Sequence, residues 1–244
     1  MMVCRYTLSA RGKQFEKAMP IVDYLRRYYS AVPFEQIDSV FGFVERSTLY
    51  GGRPFQTNEL TEEDVAALYR HRIGLRLPLT NHHVSADEYE NSRPFLEKYC
   101  LPGNTAIVTN DNLAKWIRRD YPKYEIEASV IKNIDNEAKL KKALSLYDTA
   151  VLPAKSNDDI AFLKSIQNKD RIRLFLNAGC AYNCPSKLCY PSVSKMNKYT
   201  GAEYRCSQPL IPREVSMHLF DAQQFMEMGF SRFKVLRQAT VTAF

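Results

Sequence analysis

Residues 105–152 read TAIVTNDNLAKWIRRDYPKYEIEASVIKNIDNEAKLKKALSLYDTAVL. Thr105 to Val108 is a short β-type run, and Asn110 or Asp111 caps a helix that carries Leu113, Trp116 and Ile117 near helical spacing. A second strand, Glu125 to Val130, leads to a helix from Asn136 to Leu146, and a third strand runs from Thr149 to Leu152. Strands that alternate with helices pair in parallel, because each helix returns the chain to the edge from which the next strand starts.

The same alternation extends in both directions. Upstream lie a strand from Val3 to Leu8, a helix from Ala10 to Ser30 with Pro20 as its weak point, and a strand from Ile37 to Val44. The loop ERSTLYGGRPF follows, and its glycines suit either close approach to a ligand or a plain turn. Thr61 and Asp64 form a capping box for a helix bearing Val65, Leu68 and Tyr69, a strand runs from Ile73 to Leu79, and Ser85 with Glu88 opens a helix reaching Tyr99. Downstream come a helix from Asp158 to Ile166, a strand from Ile172 to Leu176, a helix from Glu214 to Met228 and a strand from Phe233 to Leu236. Eight strands and seven helices at about thirty-residue intervals place the chain in the α/β class as a (β/α)8 TIM-like barrel. One domain, residues 1–244, carries a cysteine-rich loop at 178–213. Only RQATVTAF follows the last strand, so the eighth helix is missing, and a longer protein or a partner subunit would cover that flank. An open doubly wound parallel sheet is the alternative fold, and no Gly-rich phosphate fingerprint follows any strand to favour it.

Of the 244 residues, 45% are hydrophobic and 25% charged, the balance of a chain with a full core. No apolar run approaches the ~20 residues of a membrane helix, and MMVCRYTLSARGK has no signal-peptide core. The expected address is the cytoplasm, without membrane association. Reducing compartments keep thiols free, so clustered cysteines there point to metal binding or catalysis; a secreted disulfide framework is the alternative for an even count of six.

Four of the six cysteines, Cys180, Cys184, Cys189 and Cys206, follow the strand that ends at Leu176. Their spacing, C-x3-C-x4-C-x16-C, suits a [4Fe-4S] cluster, which accepts irregular Cys4 sets, better than structural zinc, which favours two close pairs. Zinc and free buried thiols remain the alternatives. If all four bind, the cluster has no open iron; if only Cys180, Cys184 and Cys189 bind, one iron is free for substrate. The third gap is too long for the C-x3-C-x2-C of radical enzymes that use S-adenosylmethionine. Cys4 and Cys100 read as packing residues. The net charge is +7, and between Ala178 and Arg213 Lys187, Lys195, Lys198, Arg205 and Arg213 face only Glu203. Tyr182, Tyr190, Tyr199 and Tyr204 are interleaved with these cations, a mixture that holds an anionic or nucleotide-like substrate, RNA included, by charge and stacking. Packing of the tyrosines over the barrel rim is the plainer reading.

In such barrels the site is built at the carboxyl ends of the strands. Those ends hold Arg11, Arg46, Asn81, Thr109 with Asn110, Ser129, Asn157, Asn177 with Cys180, and Arg237 with Gln238, a polar and positive ring suited to an anion, although the same residue types serve as caps and turns. Asn177 and Arg237 are the candidate catalytic residues, orienting the substrate, and Asn81, Asn110, Ser129, Lys187 and Arg205 the candidate substrate-binding ones. His82 and His83 stand where they can touch a ligand, whereas His71 and His218 fall on predicted helices. Neither H-E-x-x-H nor G-x-S-x-G occurs.

The strand ends LPLTN, IVTND, EIEASV, AVLPAKSND, LFLNAGCAYNCP and GFSRFKVLRQ, spread between Ile37 and Gln238, resemble the peptidase U-thirty-two, or collagenase-like peptidase, family. The most specific part is Asn177 to Cys180 with Cys184-Pro185. The resemblance implies a barrel and a [4Fe-4S] cluster carried onto Cys180, Cys184, Cys189 and Cys206. It also implies oxygen-independent hydroxylation of an RNA base or a ubiquinone precursor in some relatives, with an electron donor as partner, and a peptidase label in others. A non-catalytic module in which metal pins a loop for RNA or protein binding is the alternative.

Overall fold

The computed structural model describes residues 3–184, 186–207 and 217–237. Its first strand, β1 (Arg5–Ser9), pairs in parallel with β2 (Ile37–Phe41) on one side and with the last strand, β10 (Arg232–Val235), on the other. Between them run β3 (Gly74–Leu79), β4 (Thr105–Val108), β5 (Glu125–Ala128), β6 (Thr149–Val151) and β7 (Ile172–Phe175), giving a closed barrel in the order β1-β10-β7-β6-β5-β4-β3-β2. Closure removes both edges and excludes the open doubly wound sheet.

The helices lie outside: α1 (Ile21–Tyr28), α2 (Glu62–Arg70), α3 (Ala86–Asn91), α4 (Arg93–Lys98), α5 (Asp111–Asp120), α6 (Glu137–Leu144), α7 (Ile160–Ser165), α8 (Cys189–Met196) and α9 (Ala222–Glu227). Thr61 and Ser85 close capping boxes with Asp64 and Glu88, as their spacing predicts. Three expected elements differ. The helix expected from Ala10 begins only after Pro20, because Gly12 takes a positive φ of 92° and the ring of Pro20 disfavours helical backbone at Met19. The helix expected from Ser85 to Tyr99 breaks at Ser92, since Pro94 offers no N–H to Glu90. The last helix is shorter than expected: α9 starts at Ala222, while residues 214–216 lie outside the described part, as do Arg213 and Gln238. His218, expected on that helix, sits instead in β9 (His218–Leu219), which pairs antiparallel with β8 (Asn177–Ala178) beyond the barrel.

Apolar residues on the outward faces of the strands pack against the helices, among them Leu8, Leu75, Leu77, Ala106, Val108, Ile126, Ala128, Ala150 and Leu174. The inside of the barrel is charged. Arg76, Glu127 and Arg173 project inward from β3, β5 and β7 and are buried. Arg76 donates to Glu127 Oε2 at 2.7 Å and Arg173 to the same oxygen at 3.1 Å. Arg173 also reaches Asp38 at 3.4 Å, and Arg76 Nε donates to Ser39 Oγ at 2.8 Å. Asp38 and Ser39 both join this ring although they are adjacent, because the β1–β2 register passes from Tyr6↔Ile37 to Thr7↔Ser39 and leaves Asp38 as an extra residue, a bulge. Burial opposes the charge on Glu127, and Arg76 and then Arg173 overcome it, holding the carboxyl below its ordinary range; Asp38 is held down similarly against burial, by Arg173 and then Arg76.

Candidate functional site

The segment after β7 crosses the carboxyl end of the barrel as a strap. At one end Asn177 is buried, its Nδ2 donating to the Leu236 carbonyl at 2.7 Å while its Oδ1 accepts from Leu236 N–H at 2.7 Å, so β7 and β10 are clamped together where they leave the barrel. Tyr182 donates to Asp158 at 2.7 Å beside β6 and stacks on His218, with ring centroids 4.3 Å apart. At the other end α8 docks on the loops after β2 and β3. Asn81, fully buried, donates from Nδ2 to the carbonyls of Thr48, Tyr50 and Ser194, and Asn197 ties the helix end to Phe55, Tyr50 and Arg53. Lys198 pairs with Glu88 at 2.6 Å. The glycines of the β2 loop serve this packing: a Cβ on Gly51 would sit 2.4 Å from the Thr80 carbonyl oxygen, so the close approach is to protein backbone rather than to a ligand.

The strap gathers the four cysteines. Cys180 is exposed, and Cys184, Cys189 and Cys206 are half-buried. Burial raises the Cys189 thiol first, and the charges of Cys180, Cys184 and Cys206 raise it further, which places all four in one electrostatic neighbourhood. Tyr190 is pushed up by burial and by three of the same thiols. Cys184 moves the other way: burial is outweighed by the Ser207 hydroxyl at 3.2 Å and by the backbone N–H groups of Lys187, at 3.3 Å, and Ser186. Donation of N–H and O–H groups to sulfur stabilises a thiolate, the form that binds metal. A four-thiol donor set fits an iron–sulfur cluster, and zinc as well. Among the described residues no three His, Cys, Asp or Glu side chains are already posed about one point as metal ligands.

The other predicted residues are placed as follows. Asn110 caps α5 through Oδ1 and donates Nδ2 to the His82 carbonyl at 3.1 Å, and Ser129 caps the turn at Val130. Lys187 takes a positive φ of 50° and reaches Asn133 Oδ1 at 2.8 Å, which moors the cysteine segment to the loop after β5. Arg205 is exposed and exchanges backbone hydrogen bonds with Ser192 Oγ. Arg237 lies apart from the thiols, paired with Glu16 at 3.1 Å and over the Tyr28 ring at 3.9 Å. Lys187 and Arg205 therefore stand with the cysteines, whereas Asn81, Asn110, Ser129 and Asn177 spend their polar groups on the scaffold. His82 Nδ1 lies 3.0 Å from Ser194 Oγ, but that hydroxyl is fully buried and already accepts from the His82 N–H, which makes the contact a latch for α8.

One residue in the barrel was not anticipated. Lys234 points inward from β10 at the level of Thr7 and Phe175, with its Nζ 4.1 Å from the Phe41 ring centroid and 5.7 Å from that of Phe175. Its signal was a lone lysine between apolar neighbours in Phe233-Lys234-Val235, and Arg76, Glu127 and Arg173 carried the same signal on their own strands.

No family model matches the sequence, and no curated protein matches it. Among solved structures the U32 peptidase Mk0906 is similar, with a TM-score of 0.66 and 13% identity over 98% of this chain and 94% of that one. The likeness establishes a shared TIM-like barrel fold and agrees with the resemblance read from the strand ends. Among the described residues no helix is long and apolar enough to cross a membrane.

Proposed function

We propose that this chain is an iron–sulfur barrel enzyme in which Cys180, Cys184, Cys189 and Cys206 hold a [4Fe-4S] cluster above the barrel mouth, acting in oxygen-independent hydroxylation of an anionic, nucleotide-like substrate such as an RNA base. The observation that carries this reading is the electrostatic proximity of four thiols on the strap, with N–H and O–H groups at hydrogen-bond distance from Cys184. Hydroxylation without dioxygen removes two electrons from the substrate, and a cluster held there would pass them singly to an external redox partner that takes them up. The chain's own part is to exclude water and orient the substrate. Lys187 and Arg205 offer cations beside the cysteines, and Tyr199 and Tyr204 are exposed for stacking.

A second reading, peptide hydrolysis, draws on the likeness to a U32 peptidase. Among the described residues of the strap the one serine–histidine contact is Ser194 with His82, whose hydroxyl is buried and committed and gives it no nucleophile.

Iron and acid-labile sulfide content, with a visible spectrum, on protein purified without oxygen tests the proposal. About four irons and four sulfides per chain, with an absorbance near ~400 nm that bleaches on reduction, is the expected result. Cys180→Ala, Cys184→Ala and Cys189→Ala should each lower iron and activity together. One zinc without sulfide would replace the enzyme by a metal-pinned RNA- or protein-binding module, and full iron in all three variants would overturn the assignment.

A further inference from the structure

Burying a lysine without a carboxylate partner is costly, and a methionine would fill the same space without that cost. Lys234 is such a lysine. The acid that acts on it, Glu127, is already engaged by Arg76 and Arg173, and the ammonium of Lys234 forms no ion pair or hydrogen bond with the described residues. Burial depresses its pKa to about 7; Glu127 pulls the other way, and Arg76, Arg173 and Arg53 add repulsion. At neutral pH about half of this amine carries a free electron pair, against about one in 2,500 for an ordinary lysine.

Its position also differs from that of the charged ring. Arg76, Glu127 and Arg173 are 2%, 0% and 0% exposed. Phe41 and Phe175 are the last residues of β2 and β7 and Lys234 the next to last of β10, so the three stand at the carboxyl end of the barrel, 9%, 7% and 5% exposed. The rings of Phe41 and Phe175 flank the amine and keep it dry. Beside them Asn157 donates Nδ2 to the Phe175 carbonyl at 2.8 Å, while its buried Oδ1 has no hydrogen-bond partner among the described residues. An unpaired buried acceptor of this kind is what a hydroxyl group would satisfy.

We propose that Lys234 is a nucleophile that forms an imine with a small aldehyde or ketone entering from the barrel mouth between Phe41 and Phe175. The neutral Nζ attacks the carbonyl carbon, the C–N bond forms, and the carbonyl oxygen takes up a proton to give a carbinolamine. Loss of that oxygen as water leaves the protonated imine, and addition of water restores the amine and the carbonyl compound. No oxidant or reductant is consumed. The inference stands apart from the thiols and does not depend on what they bind.

The test is reductive trapping on the protein as purified. Glycolaldehyde or pyruvate is added with cyanoborohydride at pH values from 6 to 10, and the modified lysines are located by peptide mass spectrometry. The expected result is an adduct at Lys234 whose rate rises through a midpoint near pH 7 and then levels, at least tenfold above any other lysine at pH 7. Lys234→Met should abolish that adduct while retaining the circular dichroism of the parent. Labelling confined to exposed lysines, rising toward pH 10 with none on Lys234 for either probe, would overturn the proposal. Iron content is read on a separate sample, so failure of the cluster assignment and failure of this one are distinguishable.

Discussion

Replacing Glu127 by Gln keeps the shape of the side chain and removes the charge at the centre of the barrel. Its Oε2 accepts from Arg76 at 2.7 Å, from Arg173 at 3.1 Å and from Thr149 at 3.4 Å, and both arginines are almost wholly buried. The variant leaves Arg76 with Glu125 at 3.8 Å and Arg173 with Asp38 at 3.4 Å as their remaining acid partners. Breaking a buried ion pair by removing one member costs about 3–5 kcal/mol, because the surviving charge stays desolvated. For a domain of this size about 1 kcal/mol moves the melting temperature by about 2–4 °C, so Glu127→Gln should melt roughly 6–20 °C below the parent. Urea denaturation at pH 7 measures the loss directly, with Lys98→Met, which removes an exposed lysine beside Glu45 and Glu62, as a control expected to lie within experimental scatter. A loss below about 1 kcal/mol in Glu127→Gln would show that solvent enters the barrel and that the ring is not a desolvated network.

Lys234→Met should stabilise the fold at pH 7. The folded pKa of about 7 lies below the ordinary lysine value, so the unfolded chain binds more protons and the parent gains stability as pH rises from about 7 toward 10, a rise that the variant should lack in urea titrations across that range. Asp38 and Glu127 have the opposite reference: their folded pKa values lie below the unfolded ones, so their contribution is complete above the ordinary carboxylate range and is lost as pH falls through it. Asn81→Leu should abolish three donations to buried carbonyls and loosen the strap, seen as faster tryptic cleavage at Lys195 and Lys198, with unchanged cleavage refuting the docking role. Thr61→Ala should cost about 1 kcal/mol through the lost cap of α2, measured by urea titration.

The barrel was legible because its helices and strands carry local signals: the capping boxes at Thr61 and Ser85, the caps at Asn110 and Asn136, and short apolar runs spaced at helical intervals. The breaks at Pro20 and Ser92 are also written locally, in Pro20 and Pro94. Helix α8 escaped notice because its residues, CYPSVSKM, have weak helical preference, and its long-range contacts to Asn81, Tyr50 and Phe55 hold it. The cysteines announced themselves by spacing, whereas the inner charges did not, since a strand with one arginine or lysine reads as half-exposed until closure of the barrel turns that face inward. Asn177 and Asn81 illustrate the reverse: polar residues at strand ends suggested ligand contact, and the backbone of the scaffold takes their hydrogen bonds.

The strap has a consequence for the order of folding. Asn81 and Ser194 are 113 residues apart, and Phe55 and Asn197 are 142 apart, so the helix that begins at Cys189 finds its seat only on loops made much earlier in the chain. Closing such long loops is slow and is repaid only when both partners are in place. Helix α8 thus docks late, after β2 and β3 have met, and a chain that has not closed its barrel leaves that helix without a seat.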